Sequence, residues 1–223
     1  PTGLTEDRYV KSVEIVEVND VNNQVGTGRE TVGGRYIYHH MIWATAQMDE
    51  NGERQPGFSI PWPVHEVGRN ADIFDEDAGR LLKADSWVVS DSVHLHSNGS
   101  DTTGHLEIGF RFHDEDYEPK YRAAFIGLGN GVDISIAGNQ SGQELHAYTV
   151  LEQHTKIITF EPHLHAPGER MCLEAIWGYT VETLSCVGYD HNWVRGYPYA
   201  EDAAPLLPKG TILHIVGYMN NSE

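Results

Sequence analysis

Read for the spacing of its apolar positions, the chain is a succession of short strands. Residues 9–18 alternate, with Val10, Val13, Ile15 and Val18 as the apolar set, and residues 35–46 are rich in aromatic and β-branched side chains. Residues 87–96, 105–112, 145–151, 156–160, 171–177, 180–184 and 211–218 read the same way. Turn-forming clusters separate them: Asp49-Glu50-Asn51-Gly52, Ser97-Asn98-Gly99 and Pro208-Lys209-Gly210. Only residues 72–84 carry a helical pattern, and it is short. Many brief strands with turns between them predict an all-β protein built as a sandwich or jelly roll. Residues 127–142 hold five glycines and little bulk, and read as the passage between two domains, 1–132 and 133–223. No internal repeat and no low-complexity tract interrupts this order.

At 223 residues with 39% apolar content, the chain can bury one large core or two small ones. No apolar run approaches the ~20 residues that a membrane helix needs, so membrane insertion is not expected. A formal net charge of -18 repels phosphate backbones and argues against nucleic-acid and anionic-membrane partners. The start at Pro1, with neither an initiator Met nor a signal-like segment, suggests processing, and with it a secreted or periplasmic location. Cys172 and Cys186 flank a hairpin expected to turn near Gly178 and Tyr179. They are placed either to form a cross-strand disulfide or to stand as two small buried thiols.

The composition is otherwise unusual only in its thirteen histidines, beside four methionines and two cysteines. Some of them are grouped. His39-His40 stands in a strand; because adjacent strand residues point to opposite faces, both can reach one ion only across a bulge or twist. His94-Leu95-His96 and His163-Leu164-His165 are H-x-H pairs, whose members share a face on a strand and can chelate. Neutral imidazole is the commonest protein ligand for copper and zinc. His65, His105, His113, His146, His154, His191 and His214 stand singly and read as hydrogen-bonded or solvated rings.

Taken in order, these groups resemble the copper type II ascorbate-dependent monooxygenases, the family of peptidylglycine α-hydroxylating and dopamine β-monooxygenases and their bacterial relatives. The family's H-H-M motif matches His39-His40-Met41. Its third histidine matches within Val93-His94-Leu95-His96, best at His96 with His94 as the competitor. The H-x-H of its second domain matches His163 and His165. The stretches 170–177, Tyr189-Asp190-His191-Asn192-Trp193 and Leu207-Pro208-Lys209-Gly210-Thr211 are also similar to the bacterial relatives. The resemblance implies two tandem jelly-roll domains with one copper each. The first copper, on His39, His40 and His96, would take electrons from ascorbate. The second, on His163 and His165, would bind dioxygen and hydroxylate an aliphatic C–H bond of a small-molecule or peptide substrate. The family completes the second site with a methionine beyond the strand matching 211–218. This chain has only Met219 nearby, so the second site is incomplete, completed differently, or finished by residues outside the sequence. A jelly roll would also need one more strand to close.

Two other readings compete. One is a non-catalytic extracellular β-sandwich with vestigial metal sites, for structure or binding, which an acidic surface would suit. The other is a cupin-type metal dioxygenase using His163, His165, Glu169 and His214, which leaves His39, His40 and His96 without a role. Open sheet edges would allow self-association.

Overall fold

Branched and aromatic side chains at every second position make strands wherever the sequence alternates, and the computed structural model is all-β. It describes residues 1–21, 35–96, 101–129, 134–190 and 194–222. The turn expected at Ser97, Asn98 and Gly99, the domain boundary at 132/133 and the matched residues His191, Asn192 and Trp193 lie outside these. The described regular elements are antiparallel strands and one 3-10 turn at Glu201–Ala203. The chain divides into two units, Pro1–Phe125 and Ile126–Glu223.

In the first unit, β1 (Arg8–Asn19) has β8 (Gly104–Phe112) along one edge and β5 (Ala71–Ile73) and β6 (Arg80–Leu82) along the other. A second sheet is centred on β2 (Tyr38–Met48). It carries β7 (Trp87–Leu95) on one side, and β3 (Arg54–Pro61) and β4 (His65–Glu66) on the other. The inward faces of the two sheets share one core: Val10, Val13 and Ile15 from β1, and Met41 and Trp43 from β2, with Trp62 and Leu82. Trp43 and Trp62 stack at 5.7 Å, and each indole N–H is satisfied, Trp43 by the Pro63 carbonyl and Trp62 by Thr45 Oγ1.

The spacing of three between Val10 and Val13 breaks the period of two because Lys11 is an extra residue between the Val10–Phe112 and Ser12–Arg111 pairs. The bulge brings Val13 and Ile15 back inside and leaves Val18 facing outward, 41% exposed, against the expectation that it joins the apolar face. The helical pattern in residues 72–84 is also not realised. Ala71–Ile73 and Arg80–Leu82 pair with β1, and Asp75 makes the turn between them, its carboxylate accepting the Asp77 N–H at 2.9 Å.

The second unit is a four-stranded sheet in the order β13 (Thr180–Gly188), β12 (Gly168–Trp177), β16 (Ile212–Asn221), β9 (Gln140–Val150). Two small ribbons accompany it: β10 (Thr155–Lys156) with β15 (Leu206–Leu207), and β11 (Thr159–Phe160) with β14 (Tyr197–Pro198). Leu173, Ala175 and Leu213 from the sheet pack with Phe160 and Leu207 from the ribbons and Ile157 from the link between β10 and β11, so only one face of the sheet forms this core. The β12–β13 hairpin turns through Gly178-Tyr179, with Gly178 at φ +56°, a conformation that favours glycine. Cys172 and Cys186 stand directly opposite in this hairpin and form a disulfide.

Candidate metal centre

The histidine cluster of the first unit is built by an irregularity. Along β2 and β7, Tyr38 pairs with Leu95 and His40 with His94, so His39 is an extra residue, the bulge that adjacent ligands require. A second offset follows. Ile42 pairs with Ser92 and Trp43 with Ser90, so here the extra residue, Asp91, is on β7. The strand is also held from outside. The Glu17 carboxylate accepts the Ile37 N–H at 2.7 Å and the Tyr38 N–H at 3.2 Å, while the Val67 N–H donates to the His39 carbonyl at 2.9 Å.

Four imidazoles gather there. His39 Nδ1 lies 3.2 Å from His96 Nε2. The His39 and His40 ring centres are 5.2 Å apart, and the His40 and His94 centres 4.2 Å apart. The two competitors for the third position thus divide, with His96 beside His39 and His94 beside His40. His96 is fixed by its own N–H, which donates to the Ile37 carbonyl at 2.8 Å. His40 is buried at 3% exposure.

His163 and His165 are not on a strand. They lie in the segment joining β11 to β12, so the shared-face geometry expected of a strand does not place them. Pro162 and Pro167 bracket the segment, and proline supplies no N–H to a ladder. The two rings nonetheless converge, with Nε2 to Nε2 at 3.0 Å. Leu164, between them, lies against the backbone of Gly168 and Gly217. A Cβ on Gly168 would stand 2.9 Å from the His165 carbonyl oxygen and 3.0 Å from Leu164 Cβ, so this turn closes only on glycine. Met219 is buried on β16, paired with Gly168, and its Cε is 3.9 Å from the Cβ position of Gly217 on that same wall.

Metal–imidazole bonds are about 2.0 Å long, so two nitrogens on one ion lie about 2.8 Å apart at right angles and about 3.3 Å apart at the tetrahedral angle. The separations of 3.2 Å and 3.0 Å fall inside that range. Without an ion, the same separation lets the N–H of one ring donate to the lone pair of the other. No protein-family model matches this chain, and no curated protein matches it. What the histidines can do therefore rests on their geometry.

Reading His65 as a solitary ring missed its place. It pairs with Met41 across β4 and β2 and lines a cavity of about 200 Å³ together with Glu17, Tyr36, Tyr38 and Glu66. Burial pushes its pKa below the usual 6.5. Arg69, whose backbone N–H donates to the Glu66 carbonyl of β4, pairs with Asp72 of β5, with Nη2 to Oδ1 at 2.6 Å and Nε to Oδ1 at 3.0 Å. No local sequence signal marks His65, because its neighbourhood is made by strand pairing.

Proposed function

We propose that this chain binds copper at the histidine group of each unit and does the chemistry of the ascorbate-dependent copper monooxygenases, hydroxylating an aliphatic C–H bond with dioxygen. The observation that carries the reading is the convergence of ring nitrogens to 3.2 Å at His39–His96 and 3.0 Å at His163–His165, the residues that carry the motif resemblance. Copper at such sites supplies one-electron redox chemistry and, when reduced, dioxygen binding. The chain's own part is to hold the ligands. The bulge at His39 turns neighbouring rings to one side, and the Gly168 turn presents His163 and the exposed His165 from a loop, where a substrate can approach. The Cys172–Cys186 disulfide supports an oxidising compartment, secreted or periplasmic. No helix is long and apolar enough to cross a membrane among the described residues.

The cupin alternative needs His214 and Glu169 at the metal. His214 instead groups with His146 at 3.0 Å and Glu174 at 2.9 Å, on strands of the sheet and not with the loop pair His163 and His165, and Glu169 accepts from Asn220 at 3.2 Å. The test is copper loading followed by metal analysis and by measurement of ascorbate-dependent oxygen uptake. Replacing His163 with Ala should remove one copper and abolish uptake while the copper at His39 and His96 stays. Copper retention without uptake would leave a binding protein, and failure to retain copper at either group would overturn the proposal.

A further inference from the structure

A third pair of imidazoles meets where the sequence shows only solitary histidines. His146 is on β9, His214 on β16 and Glu174 on β12, three adjacent strands of the second unit's sheet. The register sets Glu174 opposite His214, His214 opposite Tyr148, and His146 opposite Val216, so all share the face turned away from Leu173, Ala175 and Leu213. His146 Nδ1 lies 3.0 Å from His214 Nε2. His214 Nδ1 lies 2.9 Å from Glu174 Oε2, and His146 Nε2 lies 3.6 Å from Glu144 Oε2. Each ring thus has its inner nitrogen facing the other ring and its outer nitrogen facing a carboxylate.

The carboxylates decide where the protons sit. An ionised carboxylate only accepts, so Glu174 keeps the proton of a neutral His214 on Nδ1 and leaves the lone pair on Nε2, aimed inward. Tyr148 lies parallel to the His214 ring, 2° between planes and 4.2 Å between centres, and so fixes its plane. When no ion is present, His146 donates Nδ1–H to that lone pair. When an ion is present, the proton of His146 is carried on Nε2 instead, where Glu144 can accept it, and both inner nitrogens become ligands. A histidine ligand whose far nitrogen is held by a carboxylate is the usual support of a protein metal site. Two carboxylates also offset the charge of a divalent cation. The His214 side chain is only 10% exposed and rigidly placed, whereas that of His146 is 40% exposed, which gives an ion and its waters a way in.

We infer that His146 Nδ1 and His214 Nε2 form a binding site for one divalent transition-metal ion, completed by water and supported by Glu174 and Glu144. At bond lengths of about 2.0 Å a separation of 3.0 Å corresponds to an angle of about 95° at the ion. Neighbouring ligands at that angle suit a tetragonal ion, which places Cu²⁺ first and Ni²⁺ next. This site does not depend on the copper reading of the other histidines.

The experiment is Cu²⁺ titration of the full chain by calorimetry, with metal analysis after dialysis, on the wild type and on His146→Gln. The variant should bind one ion fewer while the ions lost on replacing His39 or His163 remain. Glu174→Gln should keep the ion but weaken it about 10- to 100-fold, an effect that a purely structural histidine pair would not show. Equal stoichiometry and affinity in wild type and His146→Gln would overturn the inference. Should the variant fail to fold, paramagnetic broadening in the wild type decides. The imidazole signals of His146 and His214 should broaden at substoichiometric Cu²⁺, and if they stay sharp the site does not exist.

Discussion

Replacing Glu17 with Gln tests whether the strand ahead of the His39 bulge is pinned by a carboxylate. Glu17 Oε1 accepts the Ile37 N–H at 2.7 Å and Oε2 accepts the Tyr38 N–H at 3.2 Å, the two residues that precede His39. A glutamine keeps one acceptor and turns an NH2 toward the other N–H, so one bond is lost and the other loses its charge assistance. Hydrogen bonds to charged groups contribute roughly 1.5–3 kcal/mol each, neutral ones about 1 kcal/mol. With one bond lost and one reduced, the expected cost is about 2–5 kcal/mol to the first unit. Urea unfolding followed by near-UV circular dichroism should show it, because Trp43 and Trp62 report the core between the two sheets. Since the same two N–H groups set the start of the bulge, Cu²⁺ affinity at His39 and His96 should fall about tenfold, which corresponds to about 1.4 kcal/mol. Glu14→Gln, an exposed change on the same strand, is the control and should do neither. If Glu17→Gln unfolds at the wild-type midpoint and binds Cu²⁺ as tightly, the carboxylate does not hold the strand and the account of the bulge is wrong.

Gly168→Ala should weaken metal binding at His163 and His165 with little change in global unfolding, because its Cβ meets the His165 carbonyl at 2.9 Å and forces the turn to move; unchanged binding would mean that the turn yields freely. Replacing Cys172 and Cys186 together with Ala should destabilise the second unit by about 2–3 kcal/mol, the entropy of opening a loop of that size, measured by the urea midpoint against the oxidised wild type. His65 gives a pH effect. Its folded pKa lies below 6.5, so as pH falls below 6.5 the unfolded chain takes up the proton first, and stability present at neutral pH is lost through that window. His65→Gln should remove this part of the acid sensitivity, seen as a smaller difference in unfolding free energy between about pH 7.5 and pH 5.5; an identical pH profile would exclude His65 as its source.

The strands were legible where one face is buried and the other is not. Residues 105–112 alternate cleanly and became β8 nearly to the residue, whereas the near-continuous apolar run 171–177 became the later part of β12, which starts at Gly168. The hairpin at Gly178-Tyr179 was equally readable, since a glycine between two alternating runs names the turn. What failed was the phase. Apolar residues in 72–84 occur at helical spacing, yet Asp75 turns the chain and β1 recruits both flanks as edge strands, a tertiary preference that no local pattern shows. The pairing of His39 with His96 depends on register across 57 residues, and that of His146 with His214 across 68. Sequence spacing carries no record of either. The loop position of His163 and His165 did have a signal: Pro162 and Pro167, on either side, argue against a central strand.

The extra residues on β2 and β7 have opposite senses. His39 advances one strand by a step, Asp91 advances the other, and beyond Trp43 the ladder resumes the alignment it had at Tyr38. The imidazoles therefore occupy a short detour whose two ends cancel. Deleting Asp91 alone would leave the slip uncorrected and carry it along the β2–β7 ladder as far as the Ala46–Trp87 pair, exchanging inward and outward side chains. Deleting His39 and Asp91 together would restore a continuous ladder and erase the histidine cluster while sparing the sheet, so the detour behaves as a removable insert in a scaffold that does not need it.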